Sequence, residues 1–238
     1  MTTQRQLLTA LIAVLAAALI SFVLTPVVKA LAPKFGFVDV PKDERRMHNH
    51  PIPTIGGLAI FVSFVLVSLF VCHLNRQFIG MLLGALVIVV LGVVDDKYDL
   101  SAKLKLAVQI LAAAIPVSQG VVIRYISHPF GFLGVPYLSL GVLAVPVTIC
   151  WIVAITNAVN FIDGLDGLSV GVCSISSLSM GIIALMLGQS NEAVILAALL
   201  GACLGFLPYN FNPAKIFMGD TGATFLGFML SCMAVSGL

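Results

Sequence analysis

Four stretches of this sequence place carboxylates, amides, lysines and glycines at spacings suited to holding a phosphate and a cation. One runs Asp95-Asp96-Lys97-Tyr98-Asp99, with Lys103 and Lys105 a turn or more later. Adjacent carboxylates at a helix end repel each other, and a cation or a proton relieves that repulsion. Magnesium takes one or two carboxylates and completes its shell with phosphate oxygens and water. The lysines could hold those phosphates as point charges. The plainer alternative is a solvated acidic–basic turn that only anchors two helices.

A second stretch reads Thr156-Asn157-Ala158-Val159-Asn160-Phe161-Ile162-Asp163-Gly164-Leu165-Asp166-Gly167-Leu168. Asn157, Asn160 and Asp163 are three apart, so on a helical turn they share a face. Gly164 and Gly167 allow a tight backbone where a ligand approaches, although Asp166 could simply cap the following helix. A third stretch, Phe217-Met218-Gly219-Asp220-Thr221-Gly222, sets Asp220 at the start of an apolar run, as an N-cap or as a metal ligand aimed outward from a rigid helix end. The fourth, Asp39 to Gly57, holds Arg45, Arg46, His48 and His50 ahead of Pro51-Ile52-Pro53-Thr54-Ile55-Gly56-Gly57. Such a basic, proline-fixed loop can clamp an anionic ligand. Its arginines could equally enforce topology or touch anionic lipid.

The elements that must position these stretches are apolar. Of the 238 residues 60% are hydrophobic and 9% charged, against roughly 25% charged in soluble domains. A water-facing surface cannot be built from that composition. Eight apolar runs fall at about 7–28, 57–74, 78–94, 104–117, 138–155, 168–187, 193–207 and 221–238. Runs of this length predict an all-α polytopic transmembrane helix bundle, a single integral membrane domain over 1–238. The fourth and seventh runs are short and rich in small residues, which predicts helices packed inside the bundle. The first run is too long for the core of a signal peptide and is read as an uncleaved span. A short hairpin is expected on the outer face at 121–137. The five cysteines lack metal-ligand spacing and read as small buried hydrophobes.

Alternate loops share a face. The loops at about 29–56, 95–105, 156–167 and 208–220 carry Lys29, Lys34, Lys42, Arg45, Arg46, Lys97, Lys103, Lys105 and Lys215, nine of the twelve basic residues. The positive-inside bias puts this set in the cytoplasm and the N-terminus outside. Nine of the ten acidic residues lie on the same face, with Glu192 opposite. Insertion does not sort carboxylates, so a shared site for a cation and a phosphorylated substrate is the reading that accounts for them. The net charge of +2 gives no nucleic-acid signal.

At these four stretches the chain resembles the polyprenyl-phosphate N-acetylhexosamine-1-phosphate transferases. The matching residues are Arg45-Arg46-Met47-His48 through Gly57, Asp95-Asp96, Asn157 through Leu168, and Phe217 through Gly222, in family order over essentially the whole sequence. The proline- and glycine-bearing first loop and the Asn-Phe-Ile-Asp-Gly stretch are more similar to the N-acetylglucosamine-1-phosphate transferases of wall teichoic acid and O-antigen lipopolysaccharide synthesis than to the phospho-N-acetylmuramoyl-pentapeptide transferases. The resemblance implies a bacterial plasma-membrane enzyme in which undecaprenyl phosphate attacks a UDP-sugar and UMP leaves. It implies Asp220 as the principal Mg²⁺ ligand with Asn160 assisting, the choice of Mg²⁺ over Mn²⁺ staying open. Asp95 becomes the base or electrostatic partner of the lipid phosphate, supported by Asp96. Lys105 would bind the diphosphate, while Asn157, Asp163 and Asp166, with Arg46 and His48 of the first loop, would bind the donor.

Relatives of this type run on through further spans and a histidine-rich cytoplasmic loop. Here Ser236-Gly237-Leu238 falls inside the eighth apolar run. That predicts either a fragment of a longer protein or a site without its histidine contribution. The implied partners are the UDP-sugar, undecaprenyl phosphate and the bilayer, with room for a homodimer. A transporter is the competing class, and it would carry acids near mid-span.

Overall fold

A computed structural model describes residues 3–39, 51–127 and 137–237. All eight apolar runs are helices: α1 (Thr3–Leu31), α2 (Gly57–Val71), α3 (Arg76–Tyr98), α4 (Ala102–Ser118), α5 (Ala144–Ile162), α6 (Leu168–Met186), α7 (Ser190–Asn210) and α8 (Gly219–Gly237). The described residues also form two short antiparallel pairs and two 3-10 turns. β1 (Val38–Asp39) pairs with β2 (Ile52–Pro53), and β3 (Tyr125–Ser127) pairs with β4 (Tyr137–Ser139). The molecule is an all-α, multi-pass membrane protein; five of its helices are long and apolar enough to cross a bilayer by length and composition.

The centre of the bundle is α8. Every residue from Thr221 to Met233 is buried, enclosed by α2, α3, α5 and α6. Such contact needs small residues where backbones meet. A side chain at Gly57 would stand 2.2 Å from the Gly222 backbone, and one at Gly92 would stand 2.4 Å from Thr221 Cα. One turn further along α8, Phe225 is fully buried, with the Phe61 ring edge-on at 5.3 Å. The outer layer is α1, whose Leu7, Leu11, Leu15 and Leu19 are exposed and face the bilayer.

Three boundaries differ from the sequence expectation. The fifth helix starts at Ala144 because Tyr137–Ser139 hydrogen-bonds as a strand with Tyr125–Ser127. The paired strands are therefore 125–127 and 137–139, displaced from the expected 121–137. Second, α3 runs to Tyr98 and α5 to Ile162, so Asp95, Asp96, Asn157 and Asn160 stand on helix ends, not in loops. Third, the short α4 is not interior: Leu104, Leu106, Ile110 and Leu111 are exposed, whereas α7 and α8 carry the core. Small residues mark a close approach to one neighbour, and that does not require burial on every side. Of the cysteines, Cys173, Cys203 and Cys232 are buried, Cys72 is partly buried and Cys150 is exposed; all five are free thiols.

Hydrogen bonds between helix ends sort the loops as alternation demands. At one end His73 N–H donates to Asn191 Oδ1 (2.7 Å), Arg76 Nε to Gln119 Oε1 (2.6 Å) and Ile123 N–H to Thr148 Oγ1 (2.9 Å). The opposite end gathers Asp95, Asp96, Asp99, Asp163, Asp166 and Asp220, while Glu192 stays at the first.

Candidate active site

The α3–α4 turn shows how local sequence builds the site. Asp99 takes a left-handed conformation (φ 50°) and donates its N–H to Asp95 O, closing α3. Ser101 Oγ then caps α4 by accepting from Leu104 N–H at 3.4 Å. The chain reverses within these few residues, so Lys105, one turn into α4, returns over Asp95 on the last turn of α3. Its Nζ lies 2.8 Å from Asp95 Oδ2 and 3.5 Å from Asp220 Oδ2. Leu100 N–H donates to the other Asp95 oxygen at 2.8 Å. Asp95 and Asp220 are themselves within side-chain hydrogen-bonding reach.

Asp96 points elsewhere. Successive helical residues project about 100° apart, so its carboxylate meets the first turn of α8. It accepts from Asp220 N–H (2.8 Å), Thr221 N–H (3.2 Å) and Thr221 Oγ1 (2.6 Å).

Asp163 follows the last residue of α5. No described residue donates a hydrogen bond to its carboxylate. Burial pushes its carboxyl up to about 8, and the charges of Asp220 and Asp96 add to the rise. Four carboxylates (Asp95, Asp96, Asp163 and Asp220) thus act on one another, and among the described residues Lys105 is the ammonium group in direct contact, with Asp95 and Asp220. That surplus of negative charge, with one acid lacking any donor, fits a divalent cation. Among the described residues no group of three or more carboxylate, histidine or cysteine side chains is arranged to hold a metal ion. Magnesium does not need such a group, since phosphate oxygens and water fill most of its shell. Asn160 stands on the last turn of α5 and Asp220 on the first turn of α8.

Asn157 and Asp166 have protein partners. Asn157 Nδ2 donates to Gln109 Oε1 (2.7 Å) and to Val153 O (2.8 Å), and Gln109 Nε2 returns a bond to Asn157 Oδ1 (3.3 Å). Sequence reasoning missed Gln109. The available signal was a lone amide in apolar α4, one turn beyond Lys105, since polar groups inside membrane helices pair with one another. Asp166 accepts from Ala214 N–H (2.9 Å) and Asn212 Nδ2 (3.3 Å), which fastens the segment leading into α8. Asn210 ties the same segment down, taking Gly167 N–H and donating to Ile216 O, each at 3.1 Å.

Arg46 and His48 lie outside the described residues. The end of their loop is clear, however. Phe217 N–H donates to Pro53 O (2.8 Å), while Gly56 and Gly57 donate to Phe217 O (2.9 Å) and Met218 O (2.8 Å). The Pro-x-Pro-x-x-Gly-Gly motif is therefore a joint that fixes the first loop to the entry of α8.

The arrangement is a carboxylate–lysine cluster at one end of a membrane bundle, suited to bringing anions together. The pattern of the family described as glycosyl transferase family 4 matches residues 78–238. The chain belongs to glycosyl transferase family 4. Among relatives within reach of this family member, a probable undecaprenyl-phosphate N-acetylglucosaminyl 1-phosphate transferase of Bacillus subtilis is 42% identical over 91% of the chain and 60% of its own length. A decaprenyl-phosphate N-acetylglucosaminephosphotransferase of Mycolicibacterium smegmatis is 37% identical over 93% of the chain and 58% of its own length. A phospho-N-acetylmuramoyl-pentapeptide-transferase of Streptococcus pneumoniae is 35% identical over 77% of the chain and 59% of its own length. The chain thus spans 58–60% of the length of the relatives it matches.

Proposed function

We infer that the complete protein transfers N-acetylglucosamine 1-phosphate from its UDP-activated form to undecaprenyl phosphate, releasing UMP. The observation that carries this reading is Lys105 set between Asp95 and Asp220, inside a cluster with excess negative charge. The names of the relatives supply the sugar and the lipid: the two most similar of the three just described act with N-acetylglucosamine phosphate, and the muramoyl-pentapeptide enzyme is more distant.

The reaction joins two anions. An oxygen of the lipid phosphate attacks the sugar-linked phosphorus, a new P–O–P bond forms, and the P–O bond to UMP breaks with its electron pair leaving on UMP. Repulsion and misalignment are the main barriers. A divalent cation held by Asp220 and Asn160 would neutralise charge on the diphosphate. Lys105 pairs with a diphosphate oxygen as a point charge, and Asp95 sets its position. A phosphate monoester has a second pKa near 6 and is largely ionised at pH 7. Asp95 consequently acts by orienting Lys105 and the acceptor, with little proton to remove. The acids lie at helix ends, Asp95 and Asp96 on the last turn of α3 and Asp220 on the first turn of α8, not at the mid-span positions of a transporter. The cluster opens to the cytoplasm, where the basic loops belong.

The direct test is Asp220→Asn in the complete protein, assayed for UMP release from UDP-N-acetylglucosamine and undecaprenyl phosphate. Loss of a charged group in a preorganised site lowers turnover by roughly 10²–10³-fold or more. Membrane insertion should be unchanged. Turnover near that of the parent protein would remove the assignment.

A further inference from the structure

We propose that Asp96 is a positioning residue for Asp220: its carboxylate caps the first turn of α8 and takes no part in metal or substrate contact. This rests on the transferase reading for its kinetic consequence, while the cap itself does not.

The geometry separates two acids that the sequence makes look equivalent. Asp95 Oδ2 faces Lys105, and Asp95 is tied to the reactive cluster. Both Asp96 oxygens are occupied by α8: Oδ1 by Asp220 N–H, and Oδ2 by Thr221 N–H and Thr221 Oγ1. The first N–H groups of a helix have no partner within the helix, and here a carboxylate from another helix satisfies two of them. Its negative charge also meets the positive end of the α8 dipole. Backbone contact fixes the distance. Gly92, one turn before Asp96 on the same face of α3, lies against Thr221, where a Cβ would be 2.4 Å from its Cα. Gly219 has φ +72°, and a Cβ there would stand 2.6 Å from Asp96 Oδ2. The helices can therefore close until the Asp96 carboxylate reaches the amide of Asp220 itself. That bond sets where the Asp220 side chain leaves the backbone, and hence its approach to Lys105. Sequence spacing cannot distinguish the two roles, because a capping carboxylate supplied by another helix leaves no local signature.

Two measurements test this on the purified protein. In hydrogen–deuterium exchange, Asp96→Asn and Thr221→Val should each speed exchange of the amides at 220–224. Asp95→Asn should leave them protected, and amides in the middle of α7 serve as the control for correct folding. In the UMP-release assay, Asp96→Asn should lower kcat roughly 10- to 100-fold, the size expected for one charge-assisted hydrogen bond, with KM for the UDP-sugar little changed. Thr221→Ser, which keeps the hydroxyl, should stay close to the parent protein. The double variant Asp96→Asn/Thr221→Val should be no worse than Asp96→Asn within about threefold, because both changes break the same contact. Unchanged exchange at 220–224 in Asp96→Asn overturns the cap. Losses that multiply in the double variant overturn the positioning role and give Asp96 chemistry of its own. Faster exchange in a protein that releases no UMP even with its native residues would sink the transferase reading and leave the cap standing.

Discussion

At the scale of the residue, Asp163 carries the clearest consequence. Its carboxyl is raised from 3.8 to about 8, by burial first and by Asp220 and Asp96 after that. Below pH 4 the group is neutral in folded and unfolded chains alike and costs nothing. Between about 4 and 8 the unfolded chain ionises it readily and the folded one resists, so stability falls as pH rises through that window and levels off above it. With chelator present, the thermal midpoint should drop across this range, and Asp163→Asn should remove part of the drop. At pH 8 the variant should unfold several degrees above the native protein, and added Mg²⁺ should narrow the gap by stabilising the native carboxylate cluster. Parallel pH slopes for the two proteins would show that Asp163 is not the acid responsible. Asp166 has a different fate. Because it fastens the segment at Asn212 and Ala214, Asp166→Ala should loosen the approach to Asp220 and cost roughly 0.5–1.5 kcal/mol of stability, the net worth of a hydrogen bond whose donor water can reach. Equal thermal midpoints for Asp166→Ala and the native protein would return it to the role of donor ligand. The sequence put Asp95 and Lys105 in one stretch because one short turn joins them, and the ion pair between them appears only in the fold. It hid Gln109 and the split between Asp95 and Asp96, since those depend on which neighbouring helix each side chain meets.

At the scale of the element, the eight helices were legible because an apolar run of bilayer length has few alternatives once its backbone groups must be satisfied without water. What the runs could not show was which helix lies at the centre. Burial in α8 and exposure along α4 arise from crossing points, and a crossing point is set by small residues on two partners at once. The α1–α7 contact shows this most clearly. Gly201 and Gly205 are four apart on α7, and a Cβ at either would stand 2.2 Å from a carbonyl oxygen of α1, Val14 or Ala18 respectively. This is the small-xxx-small geometry by which membrane helices reach backbone contact. Gly201→Leu should push α1 away and destabilise the protein in detergent by about 1–3 kcal/mol or more, as overpacking does. Leu204→Ala, on the exposed side of the same helix, should be close to neutral. A Gly201→Leu protein that unfolds at the same temperature as the native one would mean that α1 is not held through this face.

At the scale of the whole molecule, function depends on the side of the membrane to which the cluster opens. In the proposed transfer the UDP-sugar carries several charges that hydrocarbon will not accept, so that reading requires the site to face the compartment where the sugar nucleotide is made. Helix-end hydrogen bonds put His73, Asn191, Arg76, Gln119 and Thr148 at one end of the bundle, and the carboxylate cluster lies at the other. The sidedness of one end therefore fixes the other. Labelling can read it once the accessible native thiols, Cys150 and the partly buried Cys72, are replaced by serine. In that background a membrane-impermeant maleimide applied to intact cells should modify Leu74→Cys and Tyr137→Cys, both exposed positions. Lys103→Cys and Lys215→Cys should react only after the membrane is opened. Labelling of the two lysine positions from outside would place Asp95, Asp163 and Asp220 beyond the reach of a cytoplasmic sugar nucleotide. The same cluster could then still bind a cation, but not as part of this transfer.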